Sequence, residues 1–127
     1  MLRVGLIGFG LAGQSFHAPS LRTTPGIELS CIFERSGSAA KERHPGVRAV
    51  RSLEDLLSDK QIQLCVVATP NASHFEIAKR CLEAGRHVIV DKPFAPTLAE
   101  AGEMVRIAEQ EHRLLTVYHS RRFDGDF

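Results

Sequence analysis

The chain has 127 residues, 43% of them hydrophobic and 24% charged, with a formal net charge of +1. That is the size of one domain, with a core that buries about two-thirds of the unfolded surface. The near-neutral balance, with no basic cluster beyond Arg121-Arg122, argues against nucleic acid as a partner. The longest apolar run, Leu64 to Ala68, is far too short to cross a bilayer, and Met1 leads into a strand rather than a secretory leader.

The first predicted strand is Arg3 to Ile7. Gly8, Gly10 and Gly13 follow it in the spacing G-x-G-x-x-G. This is strand, tight turn, helix start, the order a dinucleotide-binding turn needs. Gly8 allows the turn, Gly10 leaves room for a pyrophosphate at the backbone, and Gly13 lets helix and strand pack closely. Between them stand Phe9, Leu11 and Ala12, and the free N–H groups of the helix start favour an anion. The helix is predicted from Leu11 to Arg22, with a kink or break between Ser15 and Pro19 because Pro19 removes a backbone bond. Thr24-Pro25-Gly26 is a turn.

Strand two is Ile27 to Phe33, ended by Glu34. Glu34 follows Gly13 by about 20 residues, where such folds carry the acid that binds an adenosine ribose. The spacing leaves that role and a solvated loop glutamate both open. Arg35 and Ser36 offer a place for a 2′-phosphate, so NAD and NADP also stay open. Gly37 to His44 is a short helix or loop, and Val47 to Val50 a short third strand. Ser52 to Asp55 resembles a capping box, with Leu53, Leu56 and Leu57 on one helical face.

Strand four is Ile62 to Ala68, apolar as a buried parallel strand is. Thr69-Pro70-Asn71 closes it, with Asn71 as the expected N-cap of a helix reaching Ala84. On that helix Phe75, Ala78 and Leu82 make a stripe, Glu76 precedes Arg80 by one turn, and Gly85 is the stop. Strand five is Arg86 to Val90, followed by Asp91-Lys92-Pro93-Phe94. Thr97 and Glu100 open a last helix, with Leu98, Ala101, Val105 and Ala108 expected on its buried face. Strand six is Arg113 to Tyr118.

Alternating strands and helices predict an α/β fold: a doubly wound, Rossmann-like parallel sheet between two helical layers, six strands in order 3-2-1-4-5-6. Gly8 to Gly13, Glu34, Thr69 to Asn71 and Asp91 to Pro93 then each stand at the end of a strand, so they converge on one edge of the sheet. The cysteines, Cys31, Cys65 and Cys81, are odd in number and lie in apolar segments, as reduced core residues of a cytoplasmic protein do. Neither they nor the scattered histidines have metal-ligand spacing.

Two longer stretches carry a resemblance: A-T-P-N-A-S-H-F, and E-A-G-R-H-V-I-V-D-K-P-F. Together they resemble the glucose–fructose oxidoreductase, inositol dehydrogenase and rhizopine-catabolism (Gfo/Idh/MocA) family. S-F-H-A-P and the closing Y-H-S-R-R-F-D-G-D-F resemble its scyllo-inositol-dehydrogenase-like branch. The resemblance implies an NAD(P)-dependent oxidoreductase of sugars, inositols or related alcohols. Matched residue by residue, Gly8, Gly10 and Gly13 form the pyrophosphate turn and Glu34 the ribose contact. Thr69, Pro70 and Asn71 line the cofactor, with His74 nearby. Asp91-Lys92-Pro93 stands where the family has E-K-P, so the lysine lies beside nicotinamide and substrate and the proline is cis.

The chemistry of Lys92 agrees, since alcohol oxidation sends a hydride to the cofactor and a proton to a base. The alternative is a surface lysine in a loop. His74 is expected to order its helix start, and His17 and His119 are given no catalytic role. The family continues into a substrate domain with the catalytic aspartate and histidine. Residues 1–120 therefore read as the dinucleotide-binding domain and 121–127 as the start of a connection, in which Arg121 and Arg122 pack or line the cofactor edge. The substrate pocket is then incomplete here, and the full-length protein is expected to be a homo-oligomer. A non-catalytic NAD(P)-sensing regulator and a module for another nucleotide are the rival readings. Lys92 and D-K-P-F favour the enzyme.

Overall fold

The computed structural model describes residues 1–118; the expectations for His119, Arg121, Arg122 and the 121–127 connection lie outside the described residues. The strands are β1 (Leu2–Ile7), β2 (Ile27–Phe33), β3 (Arg48–Val50), β4 (Leu64–Val67), β5 (His87–Asp91) and β6 (Leu115–Tyr118). They form one sheet in the order β3-β2-β1-β4-β5-β6, parallel throughout, as the alternating pattern predicts. The register brings the strand ends level: Ile7 pairs with Phe33 and Val67, Phe33 with Val50, Val67 with Val90, and Asp91 with Tyr118. Loops far apart in sequence therefore leave the sheet side by side.

Alternation along each strand divides the core between the two faces. Val4 and Leu6 of β1 join Leu29, Ile32 and Val66 on the face covered by α1 (Ala18–Thr23) and α2 (Ala39–Arg43), through Ala18, Leu21 and Ala40. Ile7 joins Cys31, Cys65, Val67 and Val90 on the other face. That face is covered by α3 (Leu53–Leu57), α4 (His74–Glu83) and α5 (Leu98–Gln110). Gly5 in β1 serves this packing, since a Cβ there would come within 2.9 Å of Leu56 Cδ2. All three cysteines are buried and unpaired. Burial pushes the Cys31 thiol up to about 11. A hydrogen bond with Cys65, reinforced by burial, pushes Cys81 well up too. Both are held as inert thiols.

Several local expectations are realised closely. Ser52 Oγ accepts from Asp55 N at 3.1 Å and Thr97 Oγ1 from Glu100 N at 3.1 Å, capping α3 and α5. Gly85, at φ +86°, ends α4: its N–H donates to Leu82 O, and that of Arg86 to Cys81 O.

Others are corrected. The first helix runs through Pro19 without a break: a π-helical turn, Gly13–His17, closed by Ala18 N–H on Gly13 O, is set into it instead. Asn71 is not a cap: it begins a 3-10 turn, Asn71–Ser73, and α4 starts at His74 with no side-chain cap. Pro70, extended at φ −56° and ψ 147°, takes the position before the turn instead. Arg80 pairs with Glu54 of α3 rather than with Glu76, because α3 and α4 lie on the same face of the sheet. The buried residues of α5 are Met104, Ile107 and Ala108; Leu98 is 90% and Val105 45% exposed. Two apolar stripes exist on that helix, and contact with α4 and the sheet selects the one through Met104.

Candidate functional site

The glycine turn after β1 divides its glycines by task. Gly8 has φ +99°, and a Cβ there would stand 2.7 Å from Ala68 O. A Cβ on Gly13 would meet Gly8 O at 2.5 Å. Both positions are closed by backbone. Gly10 is different: nothing lies within 4 Å of its Cβ position. Gln14 folds back on the turn, with its N–H bonded to Gly10 O at 2.9 Å and its side chain donating to Phe9 O at 2.8 Å. Phe9 is 5% exposed, buried with the α1 and α2 side of the core and edge-on to His44. Leu11 is exposed and Ala12 half-buried. The N–H groups at this helix start have no preceding turn to bond.

Glu34 is buried, and both its backbone groups are engaged: its N–H donates to Val50 O and its carbonyl accepts from Arg51. Its Oε1 accepts from Ala40 N at 3.2 Å, at the start of α2. Oε2 points past Gly37, where a Cβ would lie 3.6 Å away. One carboxylate oxygen is thus anchored and the other has no hydrogen bond among the described residues. Arg35 and Ser36 beside it are exposed.

On the other side of β1, the β4 loop is held by Ser73, whose hydroxyl lies 2.6 Å from Thr69 Oγ1 and 2.7 Å from Pro70 O. A cavity of about 400 Å³ opens between these loops. Of the expected site residues, Gly8, Phe9, Gly10, Glu34, Arg35, Thr69 and Pro70 line it. Leu11, Ala12, Gly13, Asn71, His74, Asp91, Lys92 and Pro93 do not.

The β5 loop is joined to this cavity by a histidine. His74 is 1% exposed, with Nε2 2.8 Å from Thr69 O and Nδ1 2.8 Å from Pro93 O. Carbonyl oxygens only accept and a neutral imidazole carries one N–H, so the ring donates to one of these carbonyls and lies against the other, between the two loops. The Lys92–Pro93 peptide is cis, as the resemblance implies. Asp91 Oδ1 accepts from Lys92 N at 2.9 Å, which leaves the Lys92 side chain exposed on a turn tied at both ends.

The sequence pattern described as "Oxidoreductase family, NAD-binding Rossmann fold" (GFO_IDH_MocA) matches residues 2–119. The chain belongs to this family. It is 47% identical over 126 residues to the uncharacterized oxidoreductase YdgJ of Escherichia coli (strain K12), covering 99% of this chain and 36% of YdgJ. It is 36% identical to IolW of Bacillus subtilis (strain 168), a scyllo-inositol 2-dehydrogenase (NADP(+)), covering 99% of this chain and 35% of IolW. A crystal structure of an oxidoreductase from Bacteroides fragilis superposes with a TM-score of 0.93 at 44% identity, over 99% of this chain and 39% of that one. The chain thus spans little more than a third of the relatives it matches, and within that third it is a family NAD-binding domain. No helix among the described residues is long and apolar enough to cross a membrane.

One residue near this site carries no role in the sequence pattern. His17, on the π-helical turn, is 4% exposed and faces Asp91, with Nε2 3.3 Å from Asp91 Oδ2. The 74-residue gap between the two gave no local signal. The π turn that aims the ring has no sequence signature beyond Pro19.

Proposed function

We propose that this chain is the dinucleotide-binding part of an oxidoreductase that moves a hydride between NAD or NADP and a sugar, inositol or related alcohol. The observation that carries the reading is the empty space over Gly10, in a turn whose other two glycines are closed by backbone. The fold does not need a glycine at this position, and a pyrophosphate approaching the backbone does. The same space, opening on the cavity lined by Gly8, Gly10 and Glu34, supports the fit of these residues to a dinucleotide.

In this reading the turn Gly8, Phe9, Gly10, Leu11, Ala12 and Gly13 receives the pyrophosphate on its N–H groups. Glu34 offers Oε2 to the adenosine ribose, with Arg35 and Ser36 beside it. Thr69, Pro70 and Asn71 flank the middle of the cofactor, and Asp91, Lys92 and Pro93 form the far end. His74 acts from behind, through the two loops it bonds. The bound cofactor supplies the hydride acceptor or donor. Lys92 holds the substrate hydroxyl by its Nζ and takes up the proton released on oxidation.

The exposure of Lys92 supports an arrangement in which further chain encloses the substrate. We therefore read residues 1–120 as the dinucleotide-binding domain and 121–127 as leading towards a substrate domain, in a homo-oligomeric full-length protein. The three unpaired buried cysteines support a cytoplasmic location.

The test is a titration of NADH and NADPH fluorescence with the wild-type chain and with Gly10→Val. We expect saturable binding by the wild type and a loss of at least about 100-fold in the variant, or roughly 2.7 kcal/mol. The melting temperature should be unchanged, since the added side chain enters open space. Equal affinity in both folded proteins would remove the pyrophosphate from this turn.

A further inference from the structure

His17 is buried on the first helix and has no part in the function proposed above. Its Nε2 is a buried nitrogen with no hydrogen-bond partner among the described residues. What it faces is Asp91 Oδ2, at 3.3 Å. The other oxygen of that carboxylate, Oδ1, accepts from the backbone N–H of Lys92 at 2.9 Å. The ring is held on another side by Tyr118 at the end of β6, with centroids 4.6 Å apart and planes tilted by 59°.

We propose that His17 is a positioning residue for Lys92, acting through the Asp91 carboxylate. The proposal rests on the reading of Lys92 given above.

Three observations support it. A buried unsatisfied nitrogen is rare and calls for a reason. Here it stands just beyond good hydrogen-bond geometry from a carboxylate, and hydrogen bonds that serve a reaction are often long before the ligand binds and tighten afterwards. Next, the residue comes from a π-helical turn, a distortion that often accompanies functional sites. That turn begins at Gly13, the last residue of the glycine turn. A ligand settling on the glycine turn therefore acts on the same short segment that carries His17. Finally, the turn around Lys92 is held at Pro93 by His74 and at the Lys92 N–H by Asp91 Oδ1. His17 faces the opposite end through Asp91, so the backbone of an exposed lysine lies between two buried imidazoles on different helices.

The test reads the Lys92 amine directly, without needing turnover. The chain is acetylated with an N-hydroxysuccinimide ester, with and without saturating NADP+ or NAD+, and modification of Lys92 is quantified by peptide mass spectrometry. In the wild type, bound dinucleotide should protect Lys92. His17→Leu should lower that protection by about tenfold, the scale of one hydrogen bond to a charged group. Its dinucleotide affinity should remain within about threefold of wild type, since less than 1 kcal/mol is then lost from binding. His17→Gln, which keeps an N–H for Asp91, should restore protection. In an Asp91→Ala background, His17→Leu should add nothing, because the partner is already gone.

Protection of Lys92 in the wild type that persists unchanged in His17→Leu overturns the positioning role and leaves the Lys92 assignment standing. No protection in the wild type despite saturable binding overturns the Lys92 assignment itself. If His17→Leu does not fold, the comparison of His17→Gln with Asp91→Ala decides: equal protection in those two overturns the proposal.

Discussion

The two edges of the sheet both carry a cleft, and the larger one is on the wrong side for the proposed chemistry. At the amino ends of the strands a cavity of about 600 Å³ lies among Leu57, Lys60, Ile62, Gln63, Arg86 and Arg113. The cavity at the carboxyl ends is about 400 Å³. What separates them is the polarity of the backbone. Helices α3 and α4 finish at the amino edge, so their last carbonyls face that end. Arg86, 6% exposed, already answers them: it donates to Leu57 O, Asp59 O, Ile62 O and Ala84 O at 2.8–2.9 Å. At the carboxyl edge a helix begins, its first N–H groups have no preceding turn to bond, and a turn is left open over Gly10. Volume does not choose the site; the direction of the peptide dipoles and the unmet donors do.

The sharpest way to break this comparison is Arg86→Ala. It leaves four carbonyls without their donor, and should destabilise the chain by about 3 kcal/mol or more, read by urea denaturation. Its affinity for NADPH, measured where the variant is still folded, should not change. An affinity loss as large as that of Gly10→Val would move the ligand to the amino edge. The smaller test lies within the carboxyl edge. Oε2 of Glu34 should accept from a ribose diol and repel a 2′-phosphate, while Arg35 partly offsets the repulsion. We expect wild type to prefer NAD modestly and Glu34→Ala to shift towards NADP by about tenfold, one charged hydrogen bond exchanged for relief of repulsion. Tighter NADP than NAD binding by the wild type would show that Glu34 does not face the ribose.

The carboxyl edge was legible in the sequence where the expected contacts lie in consecutive residues. The glycine spacing, the acid after β2 and D-K-P each announce a local chain geometry, and strand alternation brings them level. The sheet order followed from the same pattern. What the sequence hid was pairing across the fold. The choice of the Met104 stripe over the Leu98 and Val105 stripe depends on where α4 lies. The partner of Arg80 is Glu54, on another helix. Asn71 has the chemistry of a cap, but Pro70 shifts the helix start past it. His74 and His17 look alike as isolated histidines, and only the folded chain shows one bridging Thr69 to Pro93 and the other facing Asp91.

The most direct test of the central claim is an amide map of the ¹⁵N-labelled chain titrated with NADP+ and NAD+. The account predicts that the perturbed amides fall on Gly8 to Gly13, Glu34 to Ser36, Thr69 to Asn71, and Asp91 and Lys92, while Lys60, Gln63, Arg86 and Arg113 stay unmoved. Shifts concentrated on Lys60, Arg86 and Arg113, with the glycine turn silent, would contradict it.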